Sequence, residues 1–433
     1  MNEVVVFWFR RDLRLTDNAG LFQALTSGYA VLPVFIFDIN ILNALEHKND
    51  ARVEFIHDTI QSLKNELQKI HSDMEVYHAT PAEAFEQLVK KYTVKAIYTN
   101  TDYEPAAIKR DNEISDWAAQ QQIAFKSFKD QVIFEKNEIL TDTGAPYRVY
   151  TPYKNKWLKK LTENPVTHSP SEKHTDAFLR MEAKPIVTLK QLGFTPSSIQ
   201  IPPLETLRKT IQEYDKTRDY PYLEHGTSLL GIHFRFGTIS IREKVVKALP
   251  LNATWLSELI WREFFMQLLF HFPHVVTESF QSKFNRLEWR YSQADFEKWC
   301  TGKTGYPLVD AGMRELNTTG HMHNRVRMVV ASFLTKHLFI DWRWGEAYFA
   351  QKLLDYDLSA NNGNWQWAAG TGADAQPYFR IFNPISQQEK FDPDFIYIKK
   401  WVPEFGTSSY IEPIIEHKKA TERAKLLFSV LKN

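Results

Sequence analysis

Short apolar runs alternate with longer segments of helical spacing over roughly the first 130 residues. The apolar runs, which have the length of strands, are 4–9, 31–37, 74–78 and 96–98. Apolar positions recur with helical spacing in the segments 18–25, 51–70, 81–91 and 105–121. This alternation predicts an α/β N-terminal domain with a Rossmann-like parallel sheet. No Gly-x-Gly-x-x-Gly follows the first run, so the usual dinucleotide-binding turn is not expected.

The pattern loosens between residues 144 and 203, where prolines interrupt any long element. These prolines are Pro146, Pro152, Pro165, Pro170, Pro185, Pro196, Pro202 and Pro203. Such a stretch is typical of a long connection between domains. We therefore predict a linker over residues 131–203, after a first domain that ends near residue 130.

The chain has helical spacing from residue 204 onward, and strand signals are nearly absent there. The predicted helices are 204–214, 241–248, 253–272, 293–301, 307–318, 321–337 and 341–354. A succession of helices without strands predicts an all-α C-terminal domain over residues 204–433.

Composition adds limits to this picture. A chain of 433 residues exceeds the size at which a single core keeps growing, which agrees with two domains. The net charge of +1 neither indicates nor excludes a nucleic-acid partner. Cys300 is the only cysteine, so no intramolecular disulfide can form, and a reducing compartment is expected. The first residues lack the order of a secretory signal and no apolar run could span a bilayer, so we expect a cytoplasmic protein without membrane contact.

Polar and aromatic side chains are unusually dense in residues 321–367. A buried core avoids polar groups that lack partners, and a plain solvated surface would not carry Trp342, Trp344, Trp365 and Trp367. The stretch therefore predicts a site for a planar, polar ligand. A calcium loop that begins at Asp355 would need Gly and Glu where Ala360 and Gln366 stand, so no metal site is expected.

Three local patterns allow two interpretations each. Glu258, Trp261, Arg262 and Phe265 share one helix face, which suits either a core helix with an internal ion pair or the wall of a ligand site. Residues 227–231 suit either a capped helix or a phosphate-binding turn. The helix after residue 321 directs Asn324, Arg327 and Met328 to one face and Arg325 to another, which could also be a solvated basic edge.

Longer motifs carry a specific resemblance. They are VFWFRRDLR at 6–14, WREF at 261–264, TGYPLVDAGMR at 304–314 and DLSANNGNWQW at 357–367. These motifs resemble the DNA photolyase/cryptochrome family over nearly the whole chain, and most specifically over 254–401. Within that family, the sequence most resembles the branch of cyclobutane pyrimidine dimer (CPD) photolyases.

The resemblance implies an N-terminal α/β antenna domain and a helical domain that binds FAD and DNA. The positions that match the FAD pocket are Tyr214, Thr227, Ser228, Leu229, Leu230, Gly231, Trp255, Asn324, Arg327, Asp355, Asp357 and Asn361. Asp355 can pair with Arg327, and Asn361 would face the flavin N5 as a neutral hydrogen-bonding partner. Gly231 stands where many relatives have serine, so one phosphate contact would be absent.

The resemblance also implies electron-transfer and DNA-binding residues. Trp365, Trp342 and Trp289 match the chain of tryptophans that leads from the flavin to the surface. The positions that contact a flipped dimer match Glu258, Trp261, Asn324, Met328 and Trp367. DNA backbone contacts are expected from Arg218, Arg262, Arg325 and Arg380. The paired histidines of the branch that repairs (6-4) lesions are replaced by Asn324 and Met328, which disfavours that substrate.

The activity implied is light-driven repair of pyrimidine dimers, in which reduced FAD donates an electron to the dimer and receives it back. Glu258 would stabilise the dimer radical anion, while Arg327 and Asn361 would stabilise the anionic flavin. UV-damaged DNA is the expected partner, and a monomer is the expected state. For an antenna chromophore, Ala106 and Ala107 replace the amide and carboxylate of folate-binding relatives, which leaves a deazaflavin, a second flavin or none.

The main alternative is a cryptochrome, a flavin photoreceptor that signals and does not repair. Cryptochromes often carry a long tail after the helical domain, whereas this sequence ends at Asn433. Glu258, Trp261 and Met328 also favour repair. A light-independent flavoprotein oxidoreductase would need a nicotinamide site, for which the sequence shows no motif.

Overall fold

The computed structural model describes residues 3–429, which form two compact units. The first unit contains the chain through Glu138 together with Leu158–Leu204 and Leu230–Lys247. The second unit contains Ile139–Trp157, Glu205–Leu229 and the described chain from Ala248 onward. The chain therefore enters each unit more than once.

The first unit is built on a parallel sheet of five strands in the order β3-β2-β1-β4-β5. The strands are β1 Glu3–Phe9, β2 Ala30–Asp38, β3 Glu75–Ala79, β4 Thr93–Asn100 and β5 Ala124–Phe128. In the central strand, Val5 pairs with Val31 of β2 and with Ala96 of β4. Every residue of β1 after Glu3 is buried because helices cover both faces, as parallel sheets require. The predicted α/β domain with a Rossmann-like parallel sheet is confirmed.

Ten helices lie between β1 and residue 248 in the described chain. They are α1 Ala19–Leu25, α2 Ile39–Ala44, α3 Ala51–Gln68, α4 Pro81–Lys91, α5 Pro105–Gln120, α6 Tyr150–Glu163, α7 Arg208–Gln212, α8 Tyr214–Thr217, α9 Gly231–Phe236 and α10 Ile241–Ala248. Their starts follow local chemistry: Asn18 caps α1, and Thr80 with Glu83 forms a complete capping box on α4.

The rest of the described chain is helical and forms most of the second unit. Its helices are α11 Ala253–His271, α12 Gln293–Cys300, α13 Pro307–Thr319, α14 Asn324–Ser332, α15 Trp342–Lys352, α16 Leu358–Ala369, α17 Pro384–Phe391, α18 Ile396–Trp401 and α19 His417–Ser429. Short 3-10 turns lie at Lys136–Glu138, Ser171–Lys173, Thr175–Ala177, Pro273–Val276 and Ser282–Arg286. The all-α C-terminal domain is thus confirmed, and no helix among residues 3–429 has the length and apolarity needed to cross a membrane.

Four local predictions were wrong. The strand β5 and the helix α2 were missed, and α6 runs for 14 residues inside the stretch predicted to hold no long element. Pro152 does not prevent α6, because it lies in the first turn, where a helix needs no backbone N–H donor. The helix predicted over 321–337 begins only at Asn324 and changes at Phe333–Leu338 into a π-helical turn. π-helical segments of this kind occur mostly as single turns within α-helices.

Candidate functional site: a polar and aromatic cavity in the helical unit

A cavity of about 390 Å³ opens in the helical unit. Its walls come mainly from α11, α14 and α16, and the loop before α16 closes one side. The lining combines charged groups, amides and aromatic rings: Arg218, Glu258, Trp261, Arg262, Phe265, Asn324, Arg327, Met328, Ala331, Phe349, Leu353, Asp355, Tyr356, Asp357, Ala360, Asn361, Asn364, Trp365, Trp367 and Ala368. This size and mixture are typical of sites for small organic ligands.

Helix caps fix the three walls. At the start of α11, the side-chain oxygen of Asn252 accepts hydrogen bonds from the backbone N–H groups of Thr254 and Trp255, at 2.9 and 3.0 Å. His323 accepts the N–H of Arg325 at 3.2 Å at the start of α14. Asp357 caps α16 by accepting the N–H of Ser359 at 3.1 Å, and it lines the cavity as well. Each cap stabilises a helix start and so fixes where the following side chains project.

Arg327 and Asp355 form an ion pair on the cavity wall. The guanidinium donates to the two carboxylate oxygens at 3.2 and 3.0 Å, and its Nε donates to the carbonyl of Met322 at 2.7 Å. Burial raises the pKa of Asp355, but the charge of Arg327 and the hydrogen bonds outweigh it and hold the pKa below its usual value. The pairing predicted from the sequence is therefore present, with Asp355 ionised.

Asn361 lies beside a residue that the sequence analysis missed, Glu346. The side-chain NH₂ of Asn361 donates to the backbone carbonyl of Glu346 at 3.1 Å and to its carboxyl group at 2.8 Å. Because both N–H donors are engaged, the amide oxygen is the group that Asn361 offers to the cavity. Burial raises the pKa of Glu346 and Asn361 lowers it, with burial prevailing. No sequence spacing indicated this pair, since the partners lie on different helices.

Glu258 and Arg218 meet at the cavity through an ion pair between carboxylate and guanidinium. Burial raises the pKa of Glu258, and the Arg218 charge only partly compensates. Arg218 also lies 5.5 Å from the centre of the Tyr214 ring. The sequence had suggested an internal pair of Glu258 with Arg262 as one interpretation, whereas the structure gives Glu258 a partner 40 positions away.

The three predicted tryptophans differ in depth. Trp365 is 2% exposed and lines the cavity, and Trp342 is 1% exposed. Both indole nitrogens are buried and have no hydrogen-bond partner in the described chain. Trp289 is half-buried and packs on Phe339, with ring centres 5.0 Å apart. Trp342 and Trp365 belong to one hydrophobic cluster, against which Trp289 packs, and the three rings differ in exposure.

Several predicted site residues lie elsewhere. Tyr214, Trp255 and residues 227–231 are not among the described residues that line the cavity. Trp255 is buried in α11, and Leu230 and Gly231 stand at the start of α9. Arg325 is not among the described lining residues; its guanidinium pairs with Asp219 at 2.6 Å and lies 3.7 Å from the sulfur of Met328. Arg380 is exposed. Their roles stay predictions.

The lining of the cavity matches the chemistry of a flavin. A flavin is planar, has apolar edges, and in its reduced form has an N–H at N5 that needs an acceptor. The Asn361 oxygen is such an acceptor, Arg327 supplies a positive charge, and Ala331, Phe349 and Leu353 supply apolar surface. The residues present therefore fit FAD.

Comparisons with known proteins agree with this fit. The family description "DNA photolyase" matches residues 5–172, and "FAD binding domain of DNA photolyase" matches residues 255–427. A deoxyribodipyrimidine photo-lyase of Halobacterium salinarum is 36% identical, and the match covers 98% of each chain. The archaeal photolyase of Sulfolobus tokodaii, solved with two FAD molecules, has a TM-score of 0.82 at 34% identity, covering 99% of this chain and 100% of that one. A Synechocystis cryptochrome has a TM-score of 0.86 at 26% identity, covering 98% and 99%.

The α/β sheet, the helical domain and the cavity define a two-domain FAD-binding protein. Within that class the evidence is specific, because both family descriptions and full-length relatives agree. The chain belongs to the DNA photolyase/cryptochrome family.

Proposed function

We propose that the protein repairs cyclobutane pyrimidine dimers in DNA, using light and FAD as a deoxyribodipyrimidine photo-lyase. The observation that carries the proposal is a single cavity with two kinds of wall. Arg327, Asp355 and Asn361 suit a flavin, while Glu258, Trp261, Met328 and Trp367 form a polar and aromatic surface that suits a flipped pyrimidine pair. Cofactor and lesion would thus meet in one place.

The flavin side would depend on charge and hydrogen bonding. When bound, reduced FAD supplies the electron for the reaction after absorbing light. Arg327, oriented by Asp355, would stabilise negative charge on the flavin, and the Asn361 oxygen would accept its N5–H. The apolar walls would exclude water, which strengthens both interactions.

The lesion side would combine stacking with one carboxyl group. Trp261 and Trp367 offer aromatic faces, and base–aromatic stacking contributes about 1–3 kcal/mol per base. Asn324 and Glu258 would hydrogen-bond the polar edges of the pyrimidines. Arg218, Arg262, Arg325 and Arg380 would contact the DNA backbone and position the duplex without reading its sequence. Cleavage itself needs no metal in this scheme.

A repair assay tests the proposal directly. Reduced protein is incubated with oligonucleotides that carry a defined thymine dimer or a (6-4) lesion, either in blue light or in the dark. We expect intact thymines from the dimer only under illumination, and no conversion of the (6-4) lesion. Equal conversion in the dark, or none in light, would refute the proposal.

A second candidate function is that of a cryptochrome-type photoreceptor. The similarity to the Synechocystis cryptochrome supports this candidate. The same assay separates the two, since a photoreceptor would bind FAD and respond to light without converting the dimer. We further propose that the protein acts as a monomer in the cytoplasm. For an antenna chromophore, a second flavin is one candidate, because the Sulfolobus tokodaii photolyase holds two FAD molecules.

A further inference from the structure

The indole of Trp261 is covered on one side by a tyrosine. The rings of Tyr150 and Trp261 stack with centres 3.5 Å apart and planes 7° apart, a nearly parallel arrangement. Phe264 meets both rings edge-on, at 5.8 Å from Tyr150 and 5.6 Å from Trp261. Trp261 lines the cavity, whereas Tyr150 is 6% exposed and is not among the described lining residues. Tyr150 therefore lies behind Trp261, on the side away from the cavity.

Tyr150 is itself held at both ends. Its hydroxyl donates to the carbonyl of Ser257 at 2.8 Å and lies 2.5 Å from the Ser257 hydroxyl, one helical turn before Trp261. Its backbone N–H donates to the carboxylate of Asp374 at 3.0 Å. Burial raises the pKa of the phenol, so the hydroxyl stays protonated and keeps donating. The ring has little freedom to move away from the indole.

We propose that Tyr150 is a positioning residue that holds Trp261 as a fixed aromatic wall for the flipped lesion. The inference rests on the proposed function, because it concerns how that lesion is bound. The Tyr150 ring is tied to the helix that carries Trp261, and Phe265 packs 5.5 Å from the indole with planes 26° apart, so the cavity-lining surface offered to a base is that of Trp261 beside Phe265. An indole fixed before binding loses less rotational freedom when a base stacks on it, so binding is tighter. Tyr150 thereby favours a flipped base over undamaged DNA, which presents none.

The test measures lesion preference and not activity alone. Dissociation constants are measured in the dark with FAD-loaded protein, for one duplex with a thymine dimer and for the same duplex undamaged. Tyr150→Leu removes the stacked ring, and we expect the preference for the dimer to fall about tenfold, with binding to undamaged DNA unchanged. Tyr150→Phe keeps the ring and loses the hydroxyl anchor, so its preference should stay within about threefold of the parent. Should Tyr150→Leu not fold, Tyr150→Met gives the same loss of the ring with an unbranched side chain.

Tyr306→Leu is the matched control. Tyr306 is also buried, and its hydroxyl donates to a backbone carbonyl, that of Ile415, at 2.7 Å, but it packs on Phe333 and His337. Its loss should lower stability and leave the lesion preference unchanged. The inference is overturned if ring-less Tyr150 variants keep the parent preference, or if Tyr306→Leu lowers it equally. A parent protein that repairs dimers while the Tyr150 variants bind normally would leave the proposed function intact and remove only this inference.

Discussion

Two opposing effects act on the carboxyl group of Glu258. Burial disfavours its charged form, and the guanidinium of Arg218 partly stabilises that form. A group in such a balance can change its protonation state or partner when a ligand displaces the guanidinium. The protonation and pairing of Glu258 therefore depend on what enters the cavity.

Glu258→Ala should separate lesion chemistry from cofactor binding. The substitution removes the hydrogen bond proposed for the dimer but none of the flavin contacts from Arg327, Asp355 and Asn361. We expect the repair yield per absorbed photon to fall several-fold while FAD content stays within about a fifth of the parent. FAD content is measured by flavin absorbance and repair by dimer conversion. Equal losses of both would make Glu258 a structural residue.

At the scale of elements, the cavity depends on how closely α15 approaches α16. Gly345 of α15 faces the ring of Trp365, and a Cβ at this position would overlap the benzene ring of the indole and the side chain of Leu334. A glycine here is required by the close approach of the two helices. The position of the cavity-lining Trp365 thus depends on a residue that does not itself line the cavity.

Gly345→Ala should consequently disturb stability and cofactor binding together. Overpacking a closed core costs about 1–3 kcal/mol, and displacement of Trp365 should also lower FAD occupancy. Urea unfolding and flavin absorbance measure the two effects. Adding Trp365→Phe removes the atoms that the new methyl group meets, so the double variant should regain part of the lost stability. A double variant less stable than the sum of the single changes would contradict the overlap.

The π-helical turn Phe333–Leu338 contacts α19 through two buried groups. Lys336 is 1% exposed, donates to the carbonyl of Ala369 at 2.5 Å, and lies 3.9 Å from the ring centre of Phe428. The Nε2 atom of His337 lies 2.8 Å from the Nδ1 atom of His417. Burial lowers the pKa of Lys336 to about 7. Within residues 3–429 the Lys336 ammonium contacts a carbonyl and a ring but forms no ion pair with a carboxylate, so burying its charge is costly.

Stability should therefore rise with pH in a defined window. Between about 7 and the ordinary lysine value of 10.5, the unfolded chain holds a proton that the folded protein has released, so alkaline conditions favour folding. We expect the free energy of unfolding, measured by urea titration, to rise between pH 7 and 9.5 in part because of Lys336. In Lys336→Met this part of the rise should be absent. Lys283→Met, at an exposed position, should retain the parent slope. Identical slopes in all three proteins would show that Lys336 keeps its proton.

At the scale of the whole molecule, three tryptophans of different exposure lie in or against one hydrophobic cluster. Trp365 borders the cavity, Trp342 is enclosed, and Trp289 is half-buried. If these rings relay an electron inward, they serve to reduce the cofactor and not to split the dimer. The two activities should then be separable.

Trp342→Phe tests this separation. A phenylalanine keeps the packing but is much harder to oxidise than an indole, so light-driven reduction of bound oxidised FAD should slow at least tenfold. Repair by chemically reduced protein should stay within about twofold of the parent. Photoreduction is followed by the loss of oxidised-flavin absorbance, and repair by dimer conversion. Loss of both activities would place Trp342 in the repair step or in the fold.

The class of fold and much of the cavity's composition follow from local patterns in the sequence. Short apolar runs and helical spacing are local patterns, so four of the five strands and the face of α11 that carries Glu258 and Trp261 could be predicted. The density of polar and aromatic residues in 321–367 likewise indicated the cavity, because such a mixture needs a ligand.

The pairing of distant groups, by contrast, is visible only once the helices are packed. Glu258 pairs with Arg218 and Asn361 with Glu346, and the ring behind Trp261 comes from α6, a helix that the prolines around it concealed. Local periodicity specifies which face of a helix is buried but not which distant residue packs against it. Those partners follow from how the helices pack, and they set the charges, the hydrogen bonds and the positions of the rings in the cavity.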